Sequence, residues 1–295
     1  MKKLLVKLVP IKVIVFFLTL KHLFENYSII ARFAHFERKI NKNTELSDEE
    51  FYQFEEFLKN VPNQKKTYVD IGAGNGVNMS CTLQLAKSDD WKGVLFEIGE
   101  IFNLTYNYKN FSNIKIAKIK VTPNNIVNLL EGFDVIKEFG FLNLDIDSYD
   151  FEVMSKILKA GFNPYVISME INEKFPPPIS FYVKYNSELS YPIGHFYGCS
   201  IVAAESLLSK NGYFLSHIYG NNAFFLNKKF YNLERKKSIS EIYEEGYINF
   251  PNRKEVFYYN KDVDELLSLS PEESIVFIEN KFKNLHGEYV LKNTK

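Results

Sequence analysis

Thr67-Tyr-Val-Asp-Ile-Gly-Ala-Gly-Asn-Gly76 compresses a strand and a glycine turn into ten residues. Thr67 to Ile71 is rich in β-branched and aromatic residues and long enough for one buried parallel strand. Gly72, Gly74 and Gly76 then occupy alternate positions. A strand, a glycine turn and a helix in succession bring bare backbone close to a ligand and aim helix N–H groups at it. The helix expected here runs from Val77 to Lys87. Asp70, at the strand end, is placed to hold a polar or cationic group of the same ligand.

The glycine spacing separates two kinds of site. A dinucleotide fold uses G-x-G-x-x-G to cradle a pyrophosphate. Here the pattern is G-x-G-x-G with an acid just ahead of it. That arrangement resembles the first motif of class I S-adenosylmethionine-dependent methyltransferases, in which the loop wraps the methionine part of the cofactor. The resemblance implies S-adenosylmethionine as cofactor, held by Asp70, Gly72, Ala73, Gly74 and Gly76. The plain alternative is a glycine turn that meets no ligand. Gly93-Val-Leu-Phe-Glu97 reads as the second strand, ending in an acid. In nucleoside-binding α/β folds an acid at this point accepts from the ribose hydroxyls. Glu97 lies 21 residues beyond Gly76, near the ~20 expected for that role. Ile98, next to it, is assigned to the same site. The alternative for Glu97 is a surface glutamate at a strand end.

Outward from these motifs, strands and helices alternate. Ser47 and Glu50 have capping-box spacing and open a helix to about Lys59. Ile114 to Val121 alternates apolar residues with lysines and reads as a third strand near a sheet edge. A helix over 124–130, a fourth strand over 141–146, a helix over 154–160 and a fifth strand over 165–171 follow. Ser200 to Asn211 is helical. Tyr213 to Ile218, a Gly220-Asn-Asn turn and Ala223 to Leu226 form a hairpin. This rhythm implies an α/β fold with a doubly wound, mostly parallel sheet. An antiparallel hairpin at the end of such a sheet is what the methyltransferase family has. The resemblance therefore spans about Thr67 to Asn227 and implies a Rossmann-like sheet of seven strands in a domain over 47–227. Residues 228–295 read as a C-terminal helical appendage, with helices at Ser238 to Tyr243 and from Ser270-Pro-Glu-Glu273 to about Asn284.

Composition sets outer limits. The 295 residues include 36 basic and 36 acidic side chains, a formal net charge of zero, so no global electrostatic drive toward nucleic acid exists. Cys81 and Cys199 make neither a metal spacing nor a disulfide framework, which points to a reducing, cytoplasmic compartment. The apolar run Val13 to Leu20 falls short of the ~20 residues of a spanning helix. Leu20, Leu23, Phe24, Tyr27, Ile30, Ala31 and Ala34 recur at helical steps, with Lys21, Arg32, Arg38 and Lys39 on the polar side. Residues 1–46 are thus an amphipathic helical arm. Residues 1–40 suit peripheral membrane contact; packing on the domain, or on a second copy in a homodimer, is the other reading.

Asn143-Leu-Asp145-Ile-Asp147-Ser-Tyr-Asp150 places three carboxylates after the fourth strand. Open α/β sheets bind ligands at the carboxyl ends of their strands, so Asp70, Glu97, Asp145, Asp147 and Glu170 are expected on one rim. Strand alternation sends Asp145 and Asp147 to one side. Acids that close repel unless a donor or a divalent metal sits between them. Asp145 is assigned to the cofactor. Asp147, Glu170 and His195 are the catalytic candidates, able to take a proton from an acceptor hydroxyl. His195 lies in the aromatic and glycine-rich loop Tyr191-Pro-Ile-Gly-His-Phe-Tyr-Gly198; a structural histidine is its alternative.

Leu142 to Asp150, Met169-Glu-Ile-Asn172, Phe175-Pro-Pro177 and Asn222-Ala-Phe-Phe225 together resemble an FkbM-like branch of the methyltransferases. Ser148, Tyr149 and Ile171 depart from that branch's usual glycine, asparagine and aromatic residue. The resemblance implies transfer of a methyl group to an oxygen or nitrogen of a small molecule or glycan. Two rivals stand beside it. Asp145-Ile-Asp147 matches the D-x-D of divalent-metal glycosyltransferases, and a non-catalytic member would keep the fold as a partner-binding module.

Overall fold

The structure, a computed structural model, describes residues 49–99, 101–232 and 237–294. The arm expected over 1–46 and Ser47 of the capping box lie outside the described residues. Among the described residues there are nine strands: β1 (Thr67–Ile71), β2 (Lys92–Glu97), β3 (Ile114–Lys118), β4 (Phe141–Leu144), β5 (Val166–Glu170), β6 (Ile179–Val183), β7 (Tyr213–Tyr219), β8 (Asn222–Asn227) and β9 (Tyr289–Asn293). Seven form one sheet in the order β3-β2-β1-β4-β5-β8-β7, and β6 pairs with β9 in a second. The expected class, a mostly parallel seven-stranded sheet flanked by helices, is the observed one. The strand order reverses between β1 and β4, the position at which such sheets bind ligands. Two compact units share the chain: one runs to Asn143 and includes Ala160–Pro164, the other holds Leu144–Lys159 and the residues from Tyr165 onward.

In the first unit β1, β2 and β3 run parallel, with Asp70 opposite Leu95 and Glu97 opposite Lys118. Tyr68, Val69, Ile71, Leu95 and Phe96 are buried, as continuous apolar runs in parallel strands require. β3 is an edge strand, and its exposed Lys115 and Lys118 flank buried Ile116 and Ala117, a charged edge that discourages further pairing. Helices α1 (Glu55–Leu58), α2 (Leu83–Ala86), α3 (Phe102–Asn107) and α4 (Ile126–Gly132) complete the unit. The ring of Phe54, just before α1, stacks on Phe141 of β4 at 4.4 Å.

The helix expected from Val77 is not there. Asn75 Oδ1 instead accepts from the Val77 and Asn78 amides, an Asx turn that competes with helix. Met79 adopts φ +55°, and helix begins only at Leu83. No helix N-terminus follows the glycine loop directly.

In the second unit β8 runs antiparallel to both β5 and β7, with Glu170 opposite Asn222. A Gly220-Asn221 turn closes the hairpin. Helices α5 (Asp150–Lys159), α6 (Ile201–Lys210), α7 (Ile239–Tyr243), α8 (Arg253–Val256) and α9 (Pro271–Lys281) belong here. Ser238 with Glu241, and Ser270 with Glu273, form capping boxes at α7 and α9. The sequence reading holds only helices beyond residue 228; the structure adds β9, antiparallel to β6. Around this small sheet Phe175, Ile179, Phe181, Val183, Phe196, Val263, Leu266, Ile278 and Phe282 form a second core. Residues on both sides of position 228 therefore share one apolar cluster. Among the described residues, no helix is long and apolar enough to cross a membrane.

Gly246 lies in a π-helical turn against β7. Its amide carbonyl accepts from Gly220 N–H at 3.0 Å. A Cβ there would stand 2.2 Å from the Ile218 carbonyl oxygen, a backbone atom that cannot rotate away. Gly246→Ala is expected to lower the unfolding free energy by about 3 kcal/mol, measured by urea denaturation. A loss below about 1 kcal/mol would show that the turn can move off the strand.

Candidate functional site

The first unit gathers its polar groups at the ends of β1 and β2. Asp70 is 2 % exposed. Its Oδ2 accepts from Thr82 Oγ1 at 2.6 Å and its Oδ1 from Asn143 Nδ2 at 2.9 Å. Burial raises its pKa; the Thr82 and Asn143 hydrogen bonds oppose that rise, and the Glu97 charge adds to it. With both oxygens engaged, Asp70 acts as a brace between the ends of β1 and β4.

The loop after β1 is held from several sides. Gly72 and Ala73 amides donate to the Phe96 carbonyl of β2. Asn107 Nδ2 donates to the Asn75 carbonyl at 2.8 Å, and Tyr108 OH to that of Gly76 at 3.0 Å. Gly76 has φ +73°, and a Cβ there would meet Tyr108 Cε2 at 2.3 Å, so both conformation and space call for glycine. Gly74 is different: it is exposed, and nothing lies within 4 Å of where its Cβ would stand.

Glu97 reaches back to this loop. Its Oε2 accepts from Gly74 N–H at 2.7 Å and its Oε1 from Gly99 N–H at 2.6 Å. The acid at the end of β2 and the middle glycine after β1 thus meet. Ile98 stands 59 % exposed beside them. A nucleoside laid along this edge would find a carboxylate for its hydroxyls, open backbone for its tail and an apolar side chain.

The second unit holds the other acids. β4 ends at Leu144, two residues short of the expected strand, so alternation does not orient Asp145 and Asp147. A turn does so instead. Asp150, fully buried, accepts from Ile146 N–H at 2.9 Å and Ser148 N–H at 3.0 Å. Asp147 takes φ +52° inside that turn. Of the five acids expected on one rim, the three of this unit come together: Asp145, Asp147 and Glu170 each bring one carboxylate oxygen within 4.8 Å of the others. Burial, with the charges of Asp145, Asp147 and Asp150, raises the Glu170 pKa well above its ordinary value. Burial also raises that of Asp147, the Lys174 charge opposing it, and pushes Asp150 up to about 6 against the opposing backbone hydrogen bonds from Ile146, Ser148 and its own amide.

His195 is not part of that carboxylate group. Its Nε2 is paired with Asp262 Oδ1 at 2.8 Å, and Asp262 Oδ2 accepts from Lys281 at 2.8 Å. Its carbonyl accepts from Asn172 Nδ2 at 3.0 Å.

Several residues here were not singled out by the sequence. Asn143 and Thr82, which brace Asp70, are two. Glu173 and Lys174 form a buried ion pair at 3.2 Å. Lys174 Nζ also donates to Tyr197 OH and lies over that ring at 4.4 Å. Asn260 Nδ2 donates to Glu173 Oε1 at 2.7 Å and to Tyr247 OH at 3.0 Å. The one available signal was Glu170-Ile-Asn-Glu-Lys174, an unusually polar run leaving a buried strand.

His217 of β7 stacks on Phe224 at 4.7 Å, and burial lowers its pKa from 6.5 to about 4. The unfolded chain therefore takes up this proton first. Its contribution to stability is present above about pH 6.5 and is lost as pH falls toward 4, by up to about 3 kcal/mol. His217→Gln is expected to remove that dependence, read as the difference from wild type in unfolding free energy between pH 7 and pH 4. A constant difference across that range would contradict a buried neutral imidazole.

No protein-family model matches the chain, and no curated protein matches it. Among solved structures it is similar to a magnesium protoporphyrin IX methyltransferase from Synechocystis PCC 6803 with bound SAM. The identity is 11 %, over 74 % of this chain and 98 % of that one, with a TM-score of 0.40. It is similar to a SAM-dependent methyltransferase from Aquifex aeolicus at 17 % identity, over 64 % and 95 %, with a TM-score of 0.35. The methyltransferase domain of bacterial CtHen1-C is 12 % identical over 63 % and 97 %, with a TM-score of 0.39.

Proposed function

We propose that this chain is an S-adenosylmethionine-dependent methyltransferase. The observation that carries the proposal is the Glu97 carboxylate on the Gly74 amide at 2.7 Å, beside a switch point braced by Asp70 and Asn143. That edge offers an acceptor for the ribose hydroxyls of a sulfonium nucleoside and an exposed glycine backbone for its amino-acid tail. On binding, Glu97 exchanges one or both amide partners for ribose hydroxyls, and the freed Gly74 N–H turns to the cofactor. Ile98 faces the base in this reading. Support also comes from the antiparallel β7–β8 hairpin ending the sheet, as the resemblance to class I methyltransferases implies.

Methyl transfer needs little from the protein beyond position. The sulfonium carbon must face the acceptor in line at near-attack distance, with water kept out. An oxygen or nitrogen acceptor that carries a proton also needs a base. For the acceptor we propose Asp147, Glu170 and His195, all of the second unit. A small molecule or glycan is the proposed acceptor, in keeping with the FkbM-like stretches from Leu142 to Phe225.

Calorimetry with S-adenosylhomocysteine tests the reading. Binding by the wild type that is lost in Asp70→Ala and Glu97→Ala is the expected result. No heat with S-adenosylhomocysteine, together with binding of a nucleotide-sugar in the presence of manganese, would replace it with the glycosyltransferase alternative.

A further inference from the structure

We propose that Asp145, Asp147 and Glu170 hold a divalent metal ion. The inference rests on the geometry of the second unit and goes beyond the methyltransferase reading.

Three carboxylate oxygens, one from each residue, lie within 4.8 Å of one another. Opposed oxygens on a calcium-sized ion, with bonds of about 2.3–2.6 Å, stand about 4.6–5.2 Å apart, and on magnesium about 4.2 Å. Only one pair of the three can be opposed, so the separations, bounded by 4.8 Å, admit a calcium-sized ion and would close further around magnesium. Glu170 supplies a separate indication. It is 5 % exposed, and its Oε1 accepts from Asn221 Nδ2 at 2.9 Å. Its Oε2 is buried and meets no N–H or O–H donor among the described residues. A buried carboxylate oxygen left in that state loses its hydration with no return, and a cation would restore it.

The surrounding groups supply that cation only in part, through the Lys174 charge felt by Asp147. Lys174 is the buried ammonium of this region, and it is committed to Glu173, Asn172 and Tyr197. Asp150 is committed to the Ile146 and Ser148 amides. That bonding shapes the turn that presents Asp145 and Asp147, so the site is built before any ion arrives. Its donors are all oxygen, with no cysteine or histidine among them. Such a set selects hard ions, calcium, manganese or magnesium, over zinc or copper.

The test uses the full chain, stripped with EDTA and dialysed. Calcium, manganese and magnesium chlorides are each titrated calorimetrically and in a thermal melt. One ion per chain and a concentration-dependent rise in Tm with at least one of the three are expected. Asp147→Asn and Glu170→Gln should each weaken that binding at least tenfold, with circular dichroism confirming that both are folded. If either variant fails to fold, Asp145→Asn takes its place under the same criterion. No heat and no shift with any of the three ions would overturn the site, as would unchanged affinity in folded variants. S-adenosylhomocysteine is titrated into the same sample: ion binding without nucleoside binding keeps this site and sinks the methyltransferase reading.

Discussion

Glu97→Ala is expected to weaken S-adenosylhomocysteine binding by about 100-fold or more in a calorimetric titration. The side chain spans two backbone amides, Gly74 at 2.7 Å and Gly99 at 2.6 Å. In the proposed complex it also takes the ribose hydroxyls. Hydrogen bonds to a charged group are worth about 1.5–3 kcal/mol each. Losing about 3 kcal/mol corresponds to a little over 100-fold in affinity. Glu97→Gln keeps the shape and one acceptor oxygen but puts an N–H₂ group against an N–H, so an intermediate loss of about tenfold is expected. Glu97 is half-buried at a strand end, and its removal should change unfolding free energy by no more than about 1 kcal/mol. Weak binding in a well-folded variant is therefore the signature. Affinity within threefold of wild type would remove Glu97 from the nucleoside site.

Asp150→Ala is expected to cost about 3–4 kcal/mol in unfolding free energy near pH 4. The carboxylate is fully buried and accepts from the Ile146 and Ser148 amides. An amide left without a partner costs about 1–3 kcal/mol, and a void is added. The cost shrinks with pH in a defined direction. Burial sets the folded pKa at about 6 against an ordinary 3.8, so the folded state holds its proton longer. The stability tied to that proton is fully present below about pH 3.8 and is lost as pH rises through 6, by about 3 kcal/mol. His217 works with the opposite sign over nearly the same range, so comparison of each variant with wild type separates the two. Denaturant titrations of Asp150→Ala and wild type at pH 4 and pH 7 provide the check. A larger loss at pH 7 than at pH 4 would invert the assignment. The same variant should lose any metal-dependent rise in Tm, because its turn carries Asp145 and Asp147.

The parts of the fold that were legible in the sequence are those set by local chemistry. β1, β2 and β5 announce themselves as buried apolar runs, and the Gly220 turn marks the hairpin. Ser270-Pro-Glu-Glu273 names its own capping box. The errors have physical causes as well. The Asn75 side chain bonds the Val77 and Asn78 amides and delays the helix to Leu83. β6 directly follows the three prolines Pro176–Pro178, and β9 is half-buried with little pattern of its own. Neither strand can be recognised without the other.

From the sequence alone followed the alternating α/β order, the glycine loop after Asp70 and the acid that ends β2. Each is a matter of side-chain size, backbone freedom or spacing within a few residues. Only the folded chain joined Gly74 to Glu97 and Asp70 to Asn143, and only there do Asp145 and Asp147 meet Glu170. Those partners stand 23, 73 and about 25 residues apart, and no local preference reaches that far. Their meeting depends on which strands become neighbours and on which buried amides claim each carboxylate, and packing decides both.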